Sequence, residues 1–289
     1  MLTNPLDHAA VAAAFPEFSI DVDPLGCGGM KNAYRMERGG DLAVLKVVRE
    51  PLPPADDEGA VSLPERIRRE IDGMRAINHR GIVQVIEGPD VREVEGEDRV
   101  WYVEPFYAGG TLTDRLGSPW SHGEVLDLVS ALSDAAEELA NNRVVHRDIK
   151  PGNIVFDGED NPVLLDLGIA YFQDLTPLTE GWGHSPRTPS YAAPEQFELR
   201  RRTSIDFRTD LFLIGIVAFE ALTGQHPFNP SEGEGYLDRL ATGAFDGGAL
   251  DGVDATPCIR NILQRLLAPG MSQRFRKFEF LRDDIEACR

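Results

Sequence analysis

The alternation of apolar and polar positions changes character near residue 108. Before it, apolar residues come in short runs bounded by turn formers. AYRM and LAVLKVV (residues 42–48), separated by RGGD, predict two strands joined by a hairpin. IVQVIEG and RVWYVEPF predict a second strand pair around the acidic turn EVEGED. Between the pairs, EPLPPADDEGAVSLPE (residues 50–65) is acidic and proline-rich and predicts a loop. The next segment carries Ile67, Ile71, Met74 and Ile77 at helical spacing, the signature of an amphipathic helix. At the start of the chain, HAAVAAAF (residues 8–15) predicts a short helix capping the fold.

After AGG (residues 108–110) the period becomes helical. Val125, Leu128, Leu132, Ala136 and Leu139 fall on one face of a long segment, as a helix packed against a core requires. LFLIGIVAFEAL (residues 211–222) is apolar all round and predicts a buried helix. SEGEGYLDRLATGAFDGGALDGVD predicts loop around a short helix, and CIRNILQRLLAPG and FEFLRDDIEAC two further helices. No repeat recurs. The outline is an α+β chain, a small strand-rich lobe followed by a larger helical one, with the joint near Pro105.

Composition narrows the function class. The chain has 289 residues, 42% hydrophobic and 27% charged, enough for a sizeable core. A net charge of −19 argues against a duplex nucleic-acid binder, which needs a basic footprint, and repels anionic membrane. No apolar run approaches the ~20 residues of a membrane span, and no basic leader precedes residues 8–15, so no signal peptide is expected. Cys27, Cys258 and Cys288 are widely separated and form no C-x-x-C pair. The expectation is a soluble cytoplasmic protein in a reducing compartment, without a zinc site. Cys27 has two open readings, a redox switch or a small residue tolerated at a loop tip.

The strongest chemical signal is VVHRDIKPGNIVF (residues 144–156). Phosphoryl transfer to a hydroxyl needs a carboxylate to orient the hydroxyl and accept its proton, a cation beside the transferred group, and a neutral oxygen ligand for magnesium. Asp148, Lys150 and Asn153 supply these within one short loop, which fixes their relative geometry. A weaker signal is LGCGGMKNAYRM. Its Gly26, Gly28 and Gly29 suit a loop that approaches a ligand closely, but Lys31 stands where a G-x-G-x-x-G loop would place its last glycine.

HRDIKPGN resembles the catalytic loop of the eukaryotic-type (Hanks-type) serine/threonine protein kinase family. Residues about 20 to 285 follow that family's order of motifs. The resemblance implies a bilobal α+β fold: an N-lobe (residues 20–104) of antiparallel sheet with one key helix, a hinge (105–110) and a mainly helical C-lobe (111–289), preceded by an extension (1–19). It also implies ATP and Mg2+, a protein substrate offering a serine or threonine hydroxyl, a capacity for autophosphorylation, and a regulatory partner protein. DLG places Asp166 with Asn153 on the metal, and AVLK places Lys46 on the α- and β-phosphates. Glu70 is its implied partner, with Glu65 the other candidate on that helix. Gly26, Gly28 and Gly29 would cover the phosphates. For Lys31 two readings stand: a charge near the phosphates, or a side chain turned outward to solvent, which is the simpler expectation.

In WYVEPFYAGGTL, a gapless match puts Glu104 at the residue that limits the adenine pocket, and a one-residue shift would put Val103 there. Pro105 has no N–H, so the backbone donor to adenine would be Phe106 or Tyr107. RTPSYAAPEQF resembles the end of the activation segment. There Glu195 would pair with Arg274, and Asp210 would hold the catalytic loop's backbone. Thr188 would bond Asp148 and Lys150, although Arg187 replaces the usual glycine before it. Arg147 either pairs with a phosphate on Thr176, Thr179 or Ser185 or simply bonds backbone. The alternatives are a pseudokinase scaffold and, against the A-P-E segment, a small-molecule kinase.

Overall fold

The computed structural model describes residues 6–27, 31–52, 68, 71–166, 171–172, 190–197, 205–229 and 234–289. The chain divides into two compact units, the described residues up to 78 with 83–106 in the first, and 79–82 with those from 107 onward in the second.

The first unit is built on one antiparallel sheet. Its strands are β1 (Ser19–Ile20), β2 (Gly26–Cys27), β3 (Lys31–Arg38), β4 (Asp41–Val48), β5 (Glu87–Val94) and β6 (Glu97–Pro105). They run in the order β1-β3-β4-β6-β5, with β2 also on β3. The β3–β4 hairpin turns where the sequence predicts it, through Gly39 and Gly40 at φ of 63° and 97°, a region that favours glycine. Strand alternation then sorts the side chains. Tyr34, Met36, Ala43, Leu45, Val47, Trp101 and Val103 share one buried face with Leu6, Val11, Phe15 and Phe18 from and around helix α1 (His8–Ala14). Phe15 meets Trp101 edge-on at 5.2 Å, and Arg92 covers both rings while donating to the carbonyl of Ala14 at the end of α1. The predicted terminal helix is thus part of this core.

One strand lies elsewhere than expected. The apolar run IVQV is not β5; Ile82 instead bridges Leu164 within the second unit, and Ile82 and Val83 are buried. β5 is the polar stretch that follows, EGPDVREV, most of it only half-buried. An edge strand with little apolar surface to bury carries almost no hydrophobic signal, whereas a buried connector carries a strong one.

The second unit is helical around two small β-ladders. Its helices are α2 (Leu112–Arg115), α3 (His122–Asn141), α4 (Phe207–Thr223), α5 (Glu234–Thr242), α6 (Pro257–Leu266) and α7 (Phe278–Cys288). Ser121 caps α3 through a reciprocal pair with Glu124, a capping box. α4 is buried on all sides, as its uniform apolarity predicts. The short ladders pair β8 (Ile154–Phe156) with β9 (Pro162–Leu164) and β7 (Val144–Val145) with β10 (Tyr171–Phe172). Gly109 passes so close to β8 that a Cβ there would sit 2.5 Å from the carbonyl oxygen of Phe156. The AGG that marks the change of period therefore also marks a contact only glycine permits.

Cys258 and Cys288 form a disulfide, with Cα atoms 5.7 Å apart, linking α6 to α7. This corrects the expectation of three separate thiols: the packing of α6 against α7 brings together residues distant in sequence. Among the described residues, no helix is long and apolar enough to cross a membrane.

Candidate active site

In the second unit, VVHRDIKPGNIVF forms β7, a loop, a short 3-10 turn (Pro151–Asn153) and β8, so the loop is anchored at both ends by buried strands. Lys150 donates to Asp148 Oδ2 at 2.8 Å, and Asn153 donates to the same oxygen and to the Asp148 carbonyl, both at 2.8 Å. Two donors fix one carboxylate oxygen and leave Oδ1 to accept from a hydroxyl. With its amide nitrogen so engaged, Asn153 has its carbonyl oxygen left to act as a ligand.

The loop backbone is held from below by Asp210, which is fully buried and accepts from the N–H groups of His146 (2.9 Å) and Arg147 (2.8 Å). Burial pushes the Asp210 carboxyl upward in pKa, opposed by its bonds to those groups. Arg147 sits at φ 70°, a left-handed conformation costly for a side-chain-bearing residue, and Gln196 Nε2 secures its carbonyl at 3.0 Å. The Arg147 side chain is buried. His146 accepts from the N–H of Asp148 at 3.3 Å through Nδ1 and donates to the Leu165 carbonyl at 3.0 Å through Nε2. Asp166 stands two residues after the end of β9, also at a positive φ of 58°. The N–H of Leu165 donates to the Asn153 carbonyl, which ties the segment bearing Asp166 to the one bearing Asn153.

Among the described residues, no three carboxylates, histidines or cysteines cluster as a preformed metal cage. Asn153 and Asp166 instead offer one neutral and one anionic oxygen donor. That sparse set fits Mg2+, which keeps few protein ligands and takes others from phosphates.

In the first unit, the sheet face opposite the aromatic core carries charge. The register pairs Ala33 with Lys46, Lys46 with Tyr102, and Val44 with Glu104, so these side chains share that face. Lys46 Nζ lies 2.7 Å from Glu104 Oε2, with both side chains buried. Val103 points the other way, into the core. Of the two residues weighed for the edge of the adenine pocket, Glu104 is therefore the one on the face of Lys46. Lys31 corrects the expectation of an outward side chain: it is the first residue of β3, 8% exposed, and donates to the Tyr102 hydroxyl at 2.9 Å. Strand alternation turns this side chain inward. Gly26 pairs with Ala33, and a Cβ added at Gly26 would meet nothing within 4 Å. Packing does not require glycine there, whereas a closely approaching ligand would.

Phe106 closes the first unit beneath the Arg35 guanidinium, and Tyr107 opens the second. In the A-P-E segment, Arg274 donates to both oxygens of Glu195, at 2.7 and 3.0 Å, and to the carbonyls of Arg208, Ala268 and Pro269. Thr209 adds a bond to Glu195 at 2.7 Å.

The carbonyl of Ser190, just before this segment, accepts from His226 Nε2 at 2.7 Å, and His226 Nδ1 accepts from the N–H of Phe228 at 3.1 Å. Burial pushes its pKa down to about 4. The unfolded chain then binds a proton, near pH 6.5, that the folded chain refuses until about pH 4. Stability is present above 6.5 and drains away as pH falls, by up to about 3 kcal/mol at 1.36 kcal/mol per unit. Urea titrations from pH 7.5 to 5 should show this slope, and His226→Gln should flatten it; an equal slope in both proteins would assign the pH dependence to other groups.

Gly28, Gly29, Glu70, Thr176, Thr179, Ser185 and Thr188 lie outside the described residues, as do Glu65 and Arg187. What the sequence reading missed is the pairing of Lys46 with Glu104, the burial of Lys31 and the anchoring by Gln196. The alternation in WYVEP contained the first, since Tyr102 and Glu104 share a side, but only the β4–β6 register says which side.

Residues 21–279 match the family model described as protein kinase domain. Among curated proteins, the chain is 28% identical over 277 residues to the serine/threonine-protein kinase pkn3 of Myxococcus xanthus, covering 91% of this chain and 48% of that one. It is 32% identical over 229 residues to serine/threonine-protein kinase PknF of Mycobacterium tuberculosis, covering 76% and 45%. To the DNA damage-responsive serine/threonine-protein kinase RqkA of Deinococcus radiodurans it is 30% identical over 210 residues, covering 71% and 29%. The chain thus spans less than half the length of these relatives.

Proposed function

The chain belongs to the protein kinase domain family, and from that premise we propose that it transfers the γ-phosphoryl group of ATP to serine or threonine hydroxyls of a protein. The observation that carries this is the carboxylate of Asp148, one oxygen fixed by Lys150 and Asn153 at 2.8 Å and the other left to accept. In the proposed step, the substrate hydroxyl oxygen bonds to the γ-phosphorus, the bond to the β-bridging oxygen breaks, ADP leaves and the hydroxyl proton passes to Asp148. Lys150 then stands beside the transferred group and offsets its charge. Asn153 and Asp166 would hold Mg2+, whose chemistry is to bridge and neutralise the phosphates. Lys46 would hold the α- and β-phosphates, with Glu104 bounding the adenine and Phe106 or Tyr107 donating to it. Gly26 leaves its backbone bare for the phosphates.

The serine/threonine class rests on Lys150 two residues after Asp148 and on the likeness to serine/threonine-protein kinases. Incubation with labelled ATP, Mg2+ and a generic basic protein is expected to yield phosphoserine and phosphothreonine. Phosphotyrosine alone would overturn the class, and no transfer beyond an Asp148→Asn control would overturn the enzyme reading. Phosphopeptide mapping of the same reaction tests Thr176, Thr179 and Ser185 as autophosphorylation sites whose phosphate would pair with Arg147. An active enzyme left unmodified there would remove that switch.

A further inference from the structure

The inner face of the first unit's sheet buries two ammonium-bearing side chains. Lys31 and Lys46 are 8% and 7% exposed, on neighbouring strands. Lys46 stands opposite Ala33, and Lys31 lies two residues from Ala33 on β3, so the two lysines are diagonal neighbours on one face. Tyr102 lies between their tips: the Lys31 Nζ is 5.6 Å and the Lys46 Nζ 5.8 Å from its ring centroid, and its hydroxyl accepts from Lys31. Lys46 is at the same time 2.7 Å from the Glu104 carboxylate, which shares its charge. Lys31 also follows the glycine segment directly, and Gly26, opposite Ala33, has open space where a side chain would be.

We propose that Lys31 is a second phosphate-binding cation of this nucleotide site, sharing with Lys46 the task of holding the triphosphate. This rests on the kinase reading above and concerns a residue for which that reading has no use. Tyr102 is the positioning residue: its hydroxyl anchors the Lys31 ammonium on the face of Lys46.

The test is the affinity of the whole chain for Mg-ATP and for adenosine, measured by calorimetry, so that the phosphate contribution is read apart from turnover. Lys31→Gln removes the charge yet keeps an N–H for the Tyr102 hydroxyl, which protects the fold; Lys31→Arg keeps the charge. Lys31→Gln is expected to weaken Mg-ATP by about tenfold or more, as loss of a charge-assisted phosphate contact does, with adenosine unchanged within about twofold. Lys31→Arg should retain most of the Mg-ATP affinity. Lys46→Met should keep a reduced preference for Mg-ATP over adenosine that the Lys31→Gln/Lys46→Met double variant loses. An unchanged preference in Lys31→Gln, or equal weakening of both ligands, would overturn the assignment and leave Lys31 as a prop for Tyr102. Wild-type protein with no preference for Mg-ATP would overturn the kinase reading itself, and this assignment with it.

Discussion

Asp148→Asn is expected to lower the rate of phosphoryl transfer by about 10²–10⁴-fold, the usual worth of a positioned general base. The substitution keeps size and shape, so the fold and the affinity for Mg-ATP should change little. What it removes is the negative charge that orients the hydroxyl and receives its proton. It also leaves Lys150, 2.8 Å away, without its carboxylate partner. The loss should therefore fall on kcat and not on KM for ATP, because the missing interaction operates at the transition state. Rates of transfer to a basic protein across a range of Mg-ATP concentrations, for wild type and variant, read this directly. Equal rates would mean that Asp148 is not the base. A loss seen only in KM would assign it to substrate binding.

Arg274→Ala should destabilise the second unit by about 3–5 kcal/mol, the cost of breaking one side of a buried ion pair. Its side chain is fully buried, bidentate to Glu195 and bonded to three backbone carbonyls. Truncation strands the Glu195 carboxylate and leaves those carbonyls short of a donor. Against a typical total stability of 5–15 kcal/mol, such a loss is a large fraction. Urea denaturation of both proteins gives the number. Replacing both partners by apolar residues, as in Glu195→Leu with Arg274→Met, should cost less than the two single changes together, since neither charge is then stranded. A single-variant loss below about 1 kcal/mol would show that water reaches the pair.

The two experiments probe different layers of one design. Asp148 is held by Lys150 and Asn153 within six residues of chain, while its loop is held by Asp210 and Gln196 from distant parts of the same unit. Arg274 fixes Glu195, the neighbour of Gln196, so the ion pair that stabilises the unit also steadies the bond from Gln196 to the Arg147 carbonyl. Loss of Arg274 should accordingly depress transfer in whatever protein remains folded.

Much of this was legible in the chain itself. Local rules decide where a helix buries all its faces, where a hairpin needs glycines, and where three functional groups lie within six residues, so α4, the β3–β4 hairpin and the Asp148–Lys150–Asn153 cluster follow from spacing alone. The resemblance to the kinase family implied the pairing of Glu195 with Arg274 and of Asp210 with the catalytic loop, both of which the structure brings together. Tertiary structure alone decided the rest. The position of β5 turned on a polar segment being the strand and the apolar run before it a buried connector, and hydrophobicity reports burial, not hydrogen bonding. The union of Cys258 with Cys288 required two helices to pack. The inward turn of Lys31 and the meeting of Lys46 with Glu104 depended on strand register, because a shift of one residue sends every side chain to the opposite face, and no local sequence feature records which register the sheet adopts.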